Sequence, residues 1–158
     1  MTNESNNDGN DELQTVPPKK HRRIGVGIVW DRDRQYILID RRLPDNELGG
    51  YWEFPGGKIE PNEDAAACIK RELMEELAIE VEVGDRLITI DHEYETLRVT
   101  LVVHHCLHIS GEPQAIACSE IRWVTVDDLA SYQLPAANYQ IVEALKMGRI
   151  TKNLSNPT

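Results

Sequence analysis

Residues 57–79 read GKIEPNEDAAACIKRELMEELAI, and the rest of the chain is arranged around them. A glycine turn leads into a segment of helical period, in which Glu72, Glu75 and Glu76 share one face because they are spaced i, i+3 and i+4. Apolar residues form a neighbouring stripe that can face a core. The segment therefore predicts an amphipathic helix from about Glu63 to Leu77, with Asn62 as its N-cap.

Three carboxylates on one helical face repel each other, and like charges spaced i, i+4 cost roughly 0.2–0.5 kcal/mol per pair. A hard divalent cation would offset that cost, since Mg²⁺ binds carboxylate oxygens together with water and phosphate oxygens. A solvated acidic face is the commoner meaning of a Glu-rich helical turn. The spacing of the acids leaves both interpretations open.

The whole pattern is more specific than the acids alone. It has Gly57, five residues, Glu63, seven residues, then Arg71-Glu72-Leu73, one residue, and Glu75-Glu76-Leu77-Ala78-Ile79. This pattern resembles the Nudix box, the signature of hydrolases that cleave diphosphate linkages in nucleoside diphosphate derivatives. One position departs from it, because Ala78 stands where the family usually has the glycine that helps the chain leave the helix.

Similarity continues outside the box and covers about residues 24–147. The segments 37–42, 50–60, 134–138 and 141–145 resemble the MutT branch of the family, whose members hydrolyse oxidised purine nucleoside triphosphates, notably 8-oxo-dGTP, to the monophosphate and pyrophosphate. The resemblance implies an α/β fold, the Nudix α/β/α sandwich with a mixed β-sheet. It also implies an enzyme of DNA repair and nucleotide pool sanitation.

The same resemblance implies the reacting residues. The metal ligands would be the carboxylates of Glu72, Glu75 and Glu76 and the backbone carbonyl of Gly56. The cofactor would be Mg²⁺, with Mn²⁺ as an alternative. Arg71 would orient the acidic turn, although it could be a simple surface ion pair. Glu72 is one candidate for the general base. Glu120, on a segment after the central strands, is another, and an ordinary exposed loop acid is an equal alternative for it.

Three further residues are predicted to bind substrate. Asn138 offers both a donor and an acceptor and can read a purine edge; its alternative role is a cap for the last helix. Arg42 would contact phosphate or a base oxygen. Phe54 would form an apolar wall, or could belong to the core.

The composition of the two ends of the chain predicts where the folded domain begins and ends. Of the 158 residues, 1–23 are predicted to form a disordered polar and basic tail, 24–148 the Nudix hydrolase domain, and 149–158 a loose C-terminal tail. Gly148 is the predicted stop of a final helix that begins near Ala137. The basic cluster at 19–23 could be a nuclear address or a nucleic-acid patch, but is more simply a solvated approach to the first strand.

Charge and cysteines restrict location and partners. A net charge of −10 argues against stable binding of nucleic acid, although a nucleotide could bind through a metal and local Arg or Lys. An odd count of three cysteines without metal-type spacing indicates free thiols in a reducing cytoplasm. No apolar run approaches the roughly 20 residues that span a bilayer.

Two alternatives to the oxidised-purine hydrolase follow from the same residues. One keeps the chemistry and changes the substrate to another nucleotide, a pterin triphosphate or a nucleotide sugar. The other is a non-catalytic Nudix module that senses a ligand. Such modules often lose acids of the box, whereas all three acids on the helical face are present here.

Overall fold

The protein is described by a computed structural model over residues 18–155. The predicted tail segments 1–17 and 156–158 lie outside the described residues. The elements follow the chain in this order: β1 Lys20–Trp30, β2 Ile37–Arg41, β3 Trp52–Glu53, β4 Gly56–Lys58, α1 Ala65–Leu77, β5 Glu80–Glu93, β6 Leu97–Ser110, β7 Glu120–Val124, a 3-10 helix Asp127–Ser131, and α2 Asn138–Ser155.

One mixed sheet organises the fold. Its strand order is β3-β2-β1-β6-β5, with β4 paired to β1 and β7 paired to β2. The central pair β1 and β6 is parallel over eleven partners, from Lys20 opposite Leu97 to Trp30 opposite Leu107, and the other pairs are antiparallel. The predicted mixed sheet is therefore confirmed.

Each face of this sheet is covered by one helix. Helix α1 packs Ile69, Leu73 and Leu77 against one face. Helix α2 packs Ile141 and Leu145 against the other face, where the larger apolar cluster lies. Because every apolar stripe needs a partner layer, two helices on opposite faces complete the predicted α/β/α sandwich.

Helix α1 begins two residues later than predicted. Its N-cap is Asp64, whose Oδ1 accepts a hydrogen bond of 2.7 Å from the backbone N–H of Ala67. Asn62 was the wrong choice for this cap. Its φ of 67° places it in the left-handed region, as part of the turn that precedes the helix. An aspartate side chain near the first amides also suits the positive end of the helix dipole.

The end of α1 explains the unusual alanine in the box. Ala78 caps the helix with φ 57° and ψ 35°, the left-handed conformation in which glycine carries no steric penalty. Its N–H donates to the carbonyls of Leu73 and Met74, so the exit motif that glycine usually serves is formed here by alanine. The backbone conformation is thus kept, and the substitution affects stability instead of the helix's end point.

Secondary structure extends past both predicted domain limits, residues 24 and 148. Strand β1 includes Lys20 to Arg23, which were assigned to the tail, because these residues pair with β6 instead of leading loosely into the strand. Helix α2 continues to Ser155 and passes through Gly148, which was predicted to stop it. Gly148 does not have the positive φ of a terminating glycine.

Two further observations concern the chain as a whole. The three cysteines are free, as predicted, and all three are buried. Within residues 18–155, no helix combines the length and apolar character that a membrane crossing requires.

Candidate active site

A cavity of about 550 Å³ opens beside the N-terminal half of β1 and brings together several predicted site residues. Its walls come from both central strands, from the loop after β2, from the glycine turn before α1 and from the start of α2. Five of the predicted residues line it: Arg42, Phe54, Gly56, Glu76 and Asn138. Of the other acids on this helix face, Glu72 lies against Gly57, which lines the cavity.

Arg71 holds the acidic turn together. Its guanidinium makes two hydrogen bonds to the Glu63 carboxylate, at 2.8 and 2.9 Å, and one of 2.8 Å to Glu72. It also contacts Glu75 at 3.3 Å and donates to the carbonyl of Lys58. Hydrogen bonding from this guanidinium lowers the pKa of Glu63 to about 2. The Arg71 guanidinium therefore bridges the carboxylates of Glu63 and Glu72.

The position of Glu72 depends on the absence of a side chain at Gly57. A methyl group there would lie 2.5 Å from Oε2 and 2.7 Å from Cγ of Glu72, well inside ordinary contact. Gly56 has a different role, because a methyl group at that residue would overlap the carbonyl oxygen of Gly25 in the pairing of β4 with β1. Gly57 thus leaves room for the Glu72 side chain, and Gly56 allows β4 to pair closely with β1.

Three neighbouring carboxyl groups line the cavity, those of Asp40, Glu53 and Glu76, and Glu72 contacts Glu76 from outside the lining. Burial, together with a hydrogen bond and repulsion from Glu72 and repulsion from Glu53, raises the pKa of Glu76 to about 8. Burial, with repulsion from Glu53 and Glu76, raises the pKa of Asp40 to about 8 as well. Both pKa values are raised first because burial disfavours the charged carboxylate, and second because the neighbouring carboxylates repel one another.

This donor set fits a hard divalent cation. Carboxylate oxygens are the ligands that Mg²⁺ and Mn²⁺ favour, and a cation would stabilise the charged form of these buried carboxylates and offset their mutual repulsion. In the part of the chain described by the structure, no three His, Cys, Asp or Glu side chains are already gathered into a complete metal site. Glu75 is 60% exposed and turned toward Arg71, so its side chain would have to rotate to share a cation with Glu72 and Glu76.

The predicted substrate-binding residues occupy the opposite walls. Phe54 is 4% exposed, belongs to the apolar core and lines the cavity, so the structure is compatible with both of its predicted roles. Arg42 donates to a carboxylate oxygen of Glu53 at 2.8 Å and to the carbonyl of Glu47 at 2.7 Å. Asn138 begins α2, yet its side chain makes no hydrogen bond to any residue between 18 and 155, so it does not act as a cap.

Glu120 is not part of this group. It stands opposite Arg41 in the pairing of β7 with β2 and makes ion pairs with Arg41 at 3.3 Å and Arg122 at 3.2 Å. These hydrogen bonds, first that from Arg122, lower its pKa. It does not line the cavity. Its surroundings match the exposed-acid alternative better than the general-base prediction.

Sequence reasoning missed Asp40 and Glu53. They are partners across β2 and β3, and both line the cavity. A signal existed, because Asp40 follows three apolar residues and Glu53 stands between Trp52 and Phe54, so each is a lone acid in an apolar strand. A single acid in a buried strand needs a hydrogen-bond or ion-pair partner, or it becomes neutral by a shift of its pKa.

Comparison with known proteins assigns the family. The NUDIX domain model matches residues 25–144, so the chain belongs to the NUDIX domain family. It is a Nudix hydrolase by this match and by its relatives, and enzymes of this kind generally depend on a divalent metal ion.

Two curated relatives and one solved structure are similar over most of their length. The chain is 32% identical to the CTP pyrophosphohydrolase of Escherichia coli K12, over 75% of this chain and 87% of the relative. It is 30% identical to the 8-oxo-dGTP diphosphatase of the same organism, over 80% and 98%. The MutT NUDIX hydrolase of Burkholderia pseudomallei superposes with a TM-score of 0.71 at 27% identity, covering 80% and 98% of the two chains.

Proposed function

We propose that the protein is a Mg²⁺-dependent nucleoside triphosphate diphosphatase that hydrolyses oxidised purine nucleotides, such as 8-oxo-dGTP, to the monophosphate and pyrophosphate. One observation carries the proposal. The acid at the end of the Nudix helix and a side-chain amide free to read a base, Glu76 and Asn138, face the same cavity. The relative named 8-oxo-dGTP diphosphatase supports the substrate class.

Glu72, Glu75 and Glu76 would hold the cation, with the Gly56 carbonyl as a further ligand. When bound, the cation would neutralise phosphate charge and orient the attacking water. Manganese would suit the same oxygen ligands. Arg71 would keep Glu72 in place through their 2.8 Å hydrogen bond.

Glu72 is the proposed general base. It would take a proton from the attacking water as the new P–O bond forms and the anhydride P–O bond breaks, and the leaving phosphate oxygen would depart with its electron pair. Glu120 is a weaker choice, because its two arginine partners lower its pKa and it does not face the cavity.

The base would lie between Phe54 and Asn138. A flat apolar wall favours an aromatic ring, and an amide offers a donor and an acceptor to its edge. Arg42 would be directed at phosphate or a base oxygen, although its bonds to Glu53 and Glu47 leave fewer of its donors available.

Pyrophosphate release from a nucleotide panel in the presence of Mg²⁺ tests the substrate. The panel contains 8-oxo-dGTP, dGTP, dATP, CTP and ADP-ribose, measured as kcat/KM. We expect the highest value for 8-oxo-dGTP. A clear preference for CTP would replace this substrate by the second candidate, a pyrimidine triphosphate, which the CTP pyrophosphohydrolase relative favours. No turnover by folded protein would favour the ligand-sensing alternative.

A further inference from the structure

The cavity has a basic end as well as an acidic one. Alternate residues of a strand share a face, and on β1 the residues that line the cavity are Lys20, Arg22, Ile24 and Val26. Val26 stands opposite Gly56 at the acidic end, whereas Arg22 stands opposite Val99 of β6. These positions are four residues apart, so the backbone of Arg22 lies about 13 Å along the strand from that of Val26, next to the glycine turn.

The Arg22 side chain has no hydrogen-bond or ion-pair partner within residues 18–155, unlike Arg71 and Arg42. Arg71 is bound to three carboxylates and Arg42 to Glu53 and Glu47. Within residues 18–155, neither Arg22 nor Lys20 makes a side-chain hydrogen bond or ion pair. Arg22 therefore presents five donors to the same cavity that Asn138 faces, with no carboxylate competing for them.

The side chains of Asn138 and Arg22 differ in the purine edges that they can distinguish. An amide can turn over and present either a donor or an acceptor, so Asn138 can serve guanine or adenine. A guanidinium only donates. Guanine carries a carbonyl oxygen, O6, where adenine carries an amino group, and an 8-oxo group adds a second carbonyl oxygen. A group that can only donate hydrogen bonds binds an edge that carries carbonyl oxygens and disfavours an edge that carries an amino group.

We propose that Arg22 makes this site prefer purines with carbonyl edges over aminopurines, by donating hydrogen bonds to the oxygen atoms of the base. The inference rests on the proposed function, since it places the base in this cavity. Phe54 and Asn138 hold the ring and one edge, and Arg22 selects the oxygen-bearing edge. Arg22 is thus a specificity residue, and the acidic helix carries the chemistry.

The strand supplies a matched control. Arg23 is the next residue, has the same charge, is exposed like Arg22, and does not line the cavity. Its backbone carbonyl accepts from Ile59, and a side-chain substitution leaves that bond intact. Arg22→Leu and Arg23→Leu therefore change net charge equally and differ in the face they alter. Arg22→Gln is a second test variant, because it replaces the donor-only group with an amide.

Binding of dGMP and dAMP to the full chain, measured by titration calorimetry, tests the proposal without requiring turnover. We expect the wild type to bind dGMP more tightly. Both Arg22 variants should reduce the dGMP-to-dAMP affinity ratio by about 10-fold, mainly through weaker dGMP binding, because a hydrogen bond to a charged donor is lost. Arg23→Leu should keep the ratio, and circular dichroism should find all variants folded.

Three results of this titration would overturn the proposal: equal affinities in the wild type, an unchanged ratio in both Arg22 variants, or equal weakening of both nucleotides. Deoxyguanosine, which has no phosphate, provides the final check. If Arg22→Leu weakens dGMP but not deoxyguanosine, the arginine contacts phosphate and the proposal is wrong. A wild type that prefers CTP in the hydrolysis panel would overturn the proposed function instead, whereas the purine affinity ratio would still report on Arg22.

Discussion

Replacing Gly57 with alanine should displace the Glu72 carboxylate while leaving the protein folded. The added methyl group would lie 2.5 Å from Oε2 of Glu72, whereas ordinary contact begins near 3.4 Å, so this carboxylate must retreat by about 1 Å. A misplacement of that size in a reacting group can reduce a rate by about 10²-fold. The 2.8 Å bond to Arg71 is also lost, at a cost of about 1 kcal/mol.

Steady-state pyrophosphate release with Mg²⁺ and urea denaturation measure these two effects. We expect kcat of Gly57→Ala to fall about 10²-fold, while the free energy of unfolding falls only by about 1 kcal/mol. Gly84→Ala is the control, because a methyl group there meets only the His105 carbonyl at 3.4 Å, and it should leave kcat unchanged. Near-wild-type kcat in folded Gly57→Ala would refute the claim that the position of Glu72 limits the reaction.

Three other changes test separate parts of the account. Ala78→Gly should raise the free energy of unfolding by about 0.5–1 kcal/mol, since φ is 57° there, and urea denaturation with no gain would contradict this. In the metal-free protein, Asp40 alone should remove up to about 1.4 kcal/mol of stability per pH unit between pH 5 and 7.5, and Glu76, whose pKa is also about 8, acts in the same direction. The reason is that folded Asp40, with a pKa of about 8, keeps a proton that the unfolded chain has released; Asp40→Asn should flatten the slope, and an unchanged slope would exclude this cause. Asn138→Ala should reduce the preference for 8-oxo-dGTP over dGTP more than it reduces kcat for dGTP, and an equal ratio of kcat/KM values would remove Asn138 from recognition.

The helix and its acids were predictable because they form a local pattern. Residues 57–79 contain the turn, the apolar stripe and the charged face within one continuous segment. Spacing alone therefore placed Glu72, Glu75 and Glu76 together. The cap was harder to predict, since Asn62 and Asp64 are both good capping residues, and only the backbone conformation distinguishes them.

Non-local pairing accounts for most of what the sequence did not reveal. Lys20 to Arg23 lack the apolar alternation of a strand, and they join the sheet because β6, more than 70 residues later, pairs with them. Asp40 and Glu53 meet across two short strands, and no spacing rule connects them. The pairing of strands that are distant in sequence therefore forms both the acidic group at Asp40, Glu53 and Glu76 and the basic end of the cavity.

The same register explains why Glu120 was a reasonable but poorly placed candidate. Its segment follows the central strands, as expected, but the pairing of β7 with β2 sets it beside Arg41. A neighbouring Arg122 completes its ion pairs. Charge partners of this kind depend on strand order, which the local sequence does not contain.

The most direct test of the central claim is hydrolysis of 8-oxo-dGTP by the wild type, Glu76→Gln and Glu112→Gln, with Mg²⁺ and with chelator. Glu112 is an exposed acid in the loop after β6 and serves as the matched control. The account predicts pyrophosphate and 8-oxo-dGMP from the wild type and Glu112→Gln only with Mg²⁺, and almost none from folded Glu76→Gln. Near-normal turnover by Glu76→Gln, or full turnover with chelator, would contradict a metal-dependent reaction at the acidic face of α1.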